Sequence, residues 1–532
     1  MNKKRLKDPI YGYIEIDKEI MEKVVDSESF QRLRNIKQTS YTPLYSSALH
    51  NRFIHSIGVY YLGSLAFEEL RIKIENQDIL DKENLIQIGK SFRLACLLHD
   101  VGHSSFSHSG EEFYLREDSE NGPKIYQDLI EIVGNEIFES DVNKYHGLKK
   151  FAAPHEIMSV IVSLERFKEF IEYKKIDIDF FSRCILGYKY SYETKENDIK
   201  NLFITLLNSK IIDVDKLDYL IRDSFVTGFE SISIDYKRLL ENLDIKIENN
   251  KKYLVFDKGA LSVLENVIYA HDSEKKWIQN HPVVLYEHFL IQHTIKNINR
   301  NLASSLFCKE ALLNEGKLIS EQKFRLLCDS DIIFLLKNKY PTDLTDEYFH
   351  RSERRHPVWK SEAEYKAIFS RDLGDYKLNE LSIIFKKISK YLEDKSKVPV
   401  INEDLILLLK EAKEKVVEDK IIDLKDRNRL LNDYEEMLKW VESLKKYSKE
   451  NELKFDYTVF FTNNFRSGFQ KAEFSNLKIY FPNLKKSYKL KDILPLLNSD
   501  VYEDQFFYLY YKRCGKEIDV SNFANFLKKN LF

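Results

Sequence analysis

A mainly α-helical fold, with a helical extension and a small mixed α/β lobe towards the C-terminus, is predicted by three observations. Only 16 glycines and 10 prolines interrupt 532 residues, so breaks in helices are few. Lys, Glu, Leu and Ile dominate the composition, and apolar residues recur at three-to-four spacing through most of the chain. Aromatic, partly alternating segments gather instead beyond residue 450: YTVFFTNNF, LKIYFPN and QFFYLYYKR have the pattern of strands.

Taken in order, DPIYGYIEI (8–16) is an extended or turn segment, and IDKEIMEKVVDSESFQRLRNIKQ is an amphipathic helix. Helices follow over 55–73, 84–100, 108–117, 154–173 and 199–225, each with an apolar stripe between polar turn residues. Residues 121–150 are charged and look like a surface insertion. Helical patterns continue to about 340, TDEYFHRSERRHPVWKSEAEY connects, and a strongly periodic helix covers 426–447. These boundaries define regions 1–340, 341–450 (connecting and helical) and 451–532 (the mixed lobe).

Composition narrows the function. Lys plus Arg (83) nearly equals Asp plus Glu (85), so no global charge favours nucleic acid or a membrane surface, and nucleic-acid binding is not indicated. No apolar run has the length of a membrane span, and MNKKRLKDPI is not followed by the apolar core of a secretory signal, so a cytoplasmic protein is expected. The five cysteines are scattered without CxxC spacing, so neither a zinc knuckle nor a disulfide framework is indicated.

Six of the thirteen histidines fall in three short segments, HNRFIHSIG (50–58), LACLLHDVGHSSFSHSGEE (94–112) and PHEI (154–157), with the acid-rich IIDVDKLDYLIRDSFVTG (211–228) beside them in character. His99–Asp100 ends an apolar helical run. Neighbours on a helix point about 100° apart, so both reach one ion only if other helices complete the shell. His55 and Asp215 supply that completion. Two imidazoles with two carboxylates suit an open site for Mn²⁺, Mg²⁺, Fe²⁺ or Ni²⁺ rather than a closed structural zinc site.

The order His55, His99–Asp100, Asp215 resembles the H…HD…D pattern of HD-domain phosphohydrolases. The words DPIYGYIEI, DSESFQRLRNIKQ, HNRFIHSIGV, LLHDVGHSSFSH, HE and IDVDKLDYLIRD resemble its deoxynucleoside triphosphate triphosphohydrolase (dNTPase) branch over roughly residues 7 to 300. The resemblance implies an HD-domain helical core within 1–340 and attack of water on an α-phosphorus, releasing a deoxynucleoside and triphosphate. The residues suit this chemistry. Arg52, three residues before His55, can neutralise the α-phosphate, and His108 with Glu111 at i, i+3 makes a proton-transfer pair. The start of a helix is the lesser alternative for Glu111, while Asp223 would equally pair with Arg222 or Arg52. By resemblance, His103 and His155 join the catalytic set, and Gln38, Lys216, Tyr219, Asp223 and Tyr286 the substrate-binding set.

Two departures bear on substrate. Thr39 follows Gln38 where strictly deoxyribose-selecting relatives often carry a hydrophobic residue, and SYTPLYSSAL lacks their glycine-rich turn. A ribonucleotide signal or cyclic nucleotide is therefore the second reading, and a non-catalytic nucleotide sensor the third. The resemblance also implies an activating-nucleotide site from Lys4, Asp26, Gln31 and Arg34, with phosphate contacts from Arg354, Arg355 and Lys360, and a homo-oligomer (dimer or tetramer) built around it. Capping or an exposed face equally suits Asp26 and Gln31, and for Arg354 and Arg355 solvated charge is the favoured reading.

Overall fold

A computed structural model describes residues 3–77, 79–115, 124–209, 212–229, 233–248, 251–395, 400–418, 423–461, 477–493 and 506–531. The fold is mainly α with small sheets. Two compact units emerge, each discontinuous in sequence: 1–274 with 295–340 and 467–500, and 275–294 with 341–466 and 501–532.

The first unit starts with a hairpin, Lys3–Asp8 against Gly12–Asp17, in the register Leu6↔Ile14 and Asp8↔Gly12. Gly12 takes φ +80°, a conformation a side chain resists, at the turn. Ile14 and Ile16 are buried while Glu15 faces out to Arg5, the period-two pattern of a half-buried ribbon. The single amphipathic helix expected next is divided. After Lys18–Ile20 and a π-helical turn Met21–Val25, Ser27 takes extended backbone and caps Glu28–Gln31 by accepting from Phe30 N, and a 3₁₀ turn Arg32–Asn35 follows.

Helices Arg52–Asn76 and Lys82–Leu98 form the centre. Gly63 permits their close approach, since a Cβ there would stand 2.5 Å from Cys96 Sγ. Pro154–Arg166, Ile178–Leu186, Lys195–Leu207 and Val214–Thr227 bury their apolar stripes around them. The expected 154–173 and 199–225 helices are each two helices. Residues 124–147 of the supposed insertion form Lys124–Val133 and Glu136–Gly147, anchored by Ile125, Leu129, Phe138 and Val142. An unforeseen hairpin, Leu243–Glu248 with Lys251–Asp257, is extended in parallel by Lys478–Phe481 and then antiparallel by Lys486–Lys489.

The second unit packs Glu362–Lys395, Glu403–Glu418, Leu424–Glu450 and Val520–Leu531 with a sheet in which Phe507–Tyr511 lies between His356–Pro357 and Tyr457–Phe461. In its core Phe385 meets Trp440 edge-on and Phe507 at a tilt, and Trp359 Nε1 donates to Phe507 O at 2.8 Å, so the indole is buried with its polar atom satisfied. Among the described residues, no helix is long and apolar enough to cross a membrane.

Candidate active site

Asn51 Oδ1 accepts from Ile54 N and starts the helix that buries His55 on its first turn. Lys82–Leu98 ends with His99 as its C-cap, so Asp100 already lies in the following turn. Helix Val214–Thr227, capped by Asp213, brings Asp215 in on its first turn. One donor atom from each of His55, His99 and Asp100 lies within 4.8 Å of the others. Asp215 Oδ1 stands 3.0 Å from His55 Nε2 and 3.7 Å from His99 Nε2.

These residues fit a divalent cation. His55 Nδ1 is occupied by Asp218 Oδ2 at 2.7 Å and His99 Nδ1 by Cys96 O at 2.9 Å, while both Nε2 atoms are buried without a well-formed hydrogen bond. Orienting one imidazole nitrogen leaves the other as a ligand. Burial opposes charge on His55, yet Asp215 and Asp218 push its pKa up to about 9. Burial also opposes ionisation of Asp100, but Arg52, His99 and His55 hold its carboxyl below the usual range. The cluster thus favours positive charge at its centre.

Beside it, Glu111 lies between two imidazoles, with Oε1 3.0 Å from His108 Nδ1 and Oε2 2.5 Å from His155 Nδ1. Despite burial, these imidazoles hold the Glu111 carboxyl well below its usual range, and Glu111 raises His155 to about 9 against the effect of its own burial. His103 stacks on His155 at 4.4 Å and is wholly buried, so burial, aided by Arg52 and its histidine neighbours, keeps it neutral. The His108 side chain is 60% exposed, giving the pair its outlet. Only His108–Glu111 of the expected 108–117 helix is α-helical, before a 3₁₀ turn Glu112–Leu115; residues 116 and 117 lie outside the described residues.

Arg52 spans both groups. It donates from Nη1 to Asp100 Oδ2 at 2.7 Å and from Nε to Ser107 Oγ at 3.0 Å, and Nη2 is 3.4 Å from His108 Nε2. Gln38 is buried nearby, with its carbonyl 3.5 Å from Arg52 Nη2. Lys216 donates at 2.7 Å to both Ser209 O and Asp213 Oδ2. Tyr219 is half-buried one turn beyond Asp215, and Asp223 pairs with His50 at 2.7 Å rather than with either expected arginine.

Other expected residues are placed elsewhere. Tyr286, Arg354, Arg355 and Lys360 belong to the second unit. The Tyr286 hydroxyl is taken by Glu347 and Arg355, and its ring stacks on Tyr510, so it is a core residue there. Arg355 is buried between Glu347 and Asp456, and Arg354 binds Glu287 and the carbonyls of Glu347 and Tyr348. Both guanidiniums are thus tied into internal pairs rather than solvated. Lys360 is exposed. Asp26 is exposed at a C-cap, Gln31 accepts from Arg34 Nε at 2.7 Å, Arg34 covers the Phe53 ring, and Lys4 pairs with Glu22 at 3.3 Å.

Sequence reasoning missed the support behind His55. Asp218 also accepts from Tyr11 Oη at 2.8 Å and from two nitrogens of Arg222, each at 2.9 Å, and Arg222 continues to Asp8 at 3.0 Å. The signal was present: Asp218 follows Asp215 by three residues on one helix, and Asp8 and Tyr11 stand in the DPIYGY word.

No protein-family model matches the chain. It is 32% identical to "Deoxynucleoside triphosphate triphosphohydrolase SAMHD1 homolog" of Dictyostelium discoideum, over 45% of this chain and 39% of that protein. It is 30% identical to the SAMHD1 enzyme of Gallus gallus, over 46% of this chain and 38% of that protein. A Mycoplasma pneumoniae protein named only as uncharacterized is 30% identical over 49% of this chain and 52% of its own length. The chain therefore spans about half or less of these curated relatives. A solved structure of a hypothetical protein from Aquifex aeolicus matches 96% of the chain and 97% of its own with a TM-score of 0.56 at 19% identity, which shows a shared fold. Over about half of its length the chain, which carries a His/Asp cluster, is thus similar in sequence to proteins named as deoxynucleoside triphosphate triphosphohydrolases.

Proposed function

We propose that the protein is a metal-dependent dNTP triphosphohydrolase, in which water attacks the α-phosphorus, the bond to the 5′ oxygen breaks, and a deoxynucleoside and triphosphate leave. The observation that carries this reading is the reach of Arg52 from Asp100 in the cation-fitting cluster to His108 beside Glu111. A divalent ion held by His55, His99, Asp100 and Asp215 would polarise a phosphate oxygen and acidify water. Arg52 neutralises the developing charge on the α-phosphate. His108, oriented by Glu111, delivers the proton that the departing 5′ oxygen needs, and His155 shares Glu111 and fixes its direction. His103, kept neutral, closes the pocket floor. Lys216 and Tyr219 bind the triphosphate and sugar, with Asp223 and Gln38 bounding the sugar.

The exposed Asp26, Arg34 and Lys4 and the half-buried Gln31 bind an activating nucleotide in a homo-oligomer on this reading. A second reading has one specific support. Thr39 Oγ1, next to Gln38, is buried without a hydrogen-bond partner, so a sugar 2′-hydroxyl would satisfy it and a ribonucleotide would be accepted. One assay separates these. The protein is incubated with each dNTP and NTP, alone and in mixtures, with Mn²⁺ or Mg²⁺, and products are resolved by chromatography. Triphosphate plus deoxynucleoside is expected, while nucleoside monophosphate would overturn the proposal. Turnover confined to mixtures identifies an activator, and turnover of NTPs supports the second reading.

A further inference from the structure

The loop that carries the proposed proton-transfer pair is held in an unfavourable shape. Phe106 and Ser107 have φ +58° and +54°, a region that L side chains adopt at a cost of order 1–3 kcal/mol. Such backbone persists only where surrounding groups fix it. Ser107 Oγ donates to Lys37 O at 2.5 Å and accepts from Arg52, which ties the loop to the strand-like segment before Gln38. Next to it, Gly110 sits with its α-carbon so close to Ser105 O that a Cβ would stand 2.5 Å away.

The remaining constraint comes from a segment more than two hundred residues away in sequence. Asp329 begins helix Asp329–Asn338 and is 7% exposed. Its Oδ1 accepts from Phe106 N at 2.7 Å and its Oδ2 from Lys37 N at 3.0 Å. Two residues earlier, Leu327 O accepts from Arg32 Nη1 at 2.7 Å, and Nη2 of the same guanidinium donates to Val101 O and His103 O at 2.9 and 2.8 Å. Leu327–Asp329 therefore holds the 101–107 loop directly at Phe106 and through Arg32 at Val101 and His103, and holds the neighbouring segment at Lys37. Burial pushes the Asp329 carboxyl up to about 6, against the pull of these two N–H donors, Lys37 and Arg32.

Building on the proposed hydrolysis, we infer that Asp329 is a positioning residue: it sets the 104–108 loop, and through it His108 and the Arg52–Ser107 contact, relative to the cation cluster. It touches no reacting atom and no member of the His55, His99, Asp100, Asp215 set in this arrangement.

The test compares wild type, Asp329→Asn, Asp329→Glu and Asp331→Asn. Asp331 caps the same helix by accepting from Cys328 N at 2.8 Å, so its variant loosens the helix start without touching the loop. Two readings are taken: hydrogen–deuterium exchange of the 36–38 and 104–108 backbone, and kcat and KM for a dNTP with Mn²⁺ retention. Asp329→Asn is expected to speed exchange in both segments and to lower kcat between about tenfold and a hundredfold, with KM and Mn²⁺ retention nearly unchanged. Asp331→Asn is expected to leave exchange there and kcat unchanged. Asp329→Glu keeps the charge on a longer arm and gives the same two readings even if the Asn variant fails to fold. Unchanged exchange in the Asp329 variants, or an equal kcat loss in Asp331→Asn, would overturn the inference. A wild type inactive on every dNTP would sink the proposed hydrolysis instead, and exchange alone would then decide whether the grip exists.

Discussion

Replacing Asp218 by Asn keeps the shape of the side chain and removes its charge. The consequences follow from its partners. Asp218 is fully buried and receives Arg222, itself 1% exposed, through two charge-assisted bonds, together with Tyr11 Oη and His55 Nδ1. An amide can accept only at its oxygen, and its NH₂ faces donors. Leaving a buried guanidinium with Asp8 as its one remaining carboxylate costs about 3–5 kcal/mol by the usual behaviour of broken buried pairs. Loss of the partner that orients a ligating imidazole weakens a metal site about 10- to 100-fold, or about 1.4–2.7 kcal/mol. The two effects separate by assay: urea unfolding of chelator-treated protein reads the first, and Mn²⁺ titration of folded protein the second. Gly58→Ala tests the same network from the other side, because its Cβ would stand 1.9 Å from Asp218 Oδ1. A destabilisation by Asp218→Asn below about 1 kcal/mol would refute the dependence of Arg222 on Asp218, and unaltered Mn²⁺ affinity would refute the orientation of His55.

Three further outcomes are expected. Gly102→Ala should lower the unfolding midpoint and displace the His155 helix, since its Cβ would lie 2.2 Å from Ser159 N and 2.3 Å from Met158 C, backbone that cannot swing aside; a loss above about 1–3 kcal/mol in denaturant unfolding checks it. His155 has a folded pKa of about 9, above its ordinary 6.5, so its contribution to stability is complete below about 6.5 and is lost as pH rises through 9. The destabilisation caused by His155→Gln should therefore shrink between pH 6 and pH 10, and a constant difference would contradict the Glu111 pairing. Mn²⁺ at a hundred times its dissociation constant should stabilise the wild type by about 2.7 kcal/mol in thermal or urea unfolding and leave Asp215→Ala nearly unaffected.

The helical class and the gathering of His55, His99, Asp100 and Asp215 were legible because a ligand-rich word leaves a local trace: His99–Asp100 closes an apolar run, and Asp215 stands on a well-capped helix start. Asp329 left no such trace. It is one acid among many at a helix N-terminus, and its partners are backbone N–H groups, which no side-chain pattern announces. The break at Asp26–Ser27 was hidden because apolar spacing continues through the π turn, with Met21, Val24, Val25 and Phe30 all buried. Strand character at 457–461, 478–481 and 507–511 was visible in alternating aromatics, but not the partners: Ile479 pairs with Phe256 and Tyr511 with His356, contacts set by tertiary packing rather than local sequence. Tyr286 and Arg355 were read separately as ligand contacts, whereas they meet over Glu347 in a buried network, a juxtaposition that sixty-odd intervening residues conceal.

The most direct test is hydrolysis of a dNTP in ¹⁸O-water with Mn²⁺, followed by mass spectrometry of both products. Attack at the α-phosphorus with departure of the 5′ oxygen predicts one ¹⁸O in the released triphosphate and none in the deoxynucleoside. Label at the 5′-hydroxyl, or a labelled nucleoside monophosphate beside pyrophosphate, would contradict it.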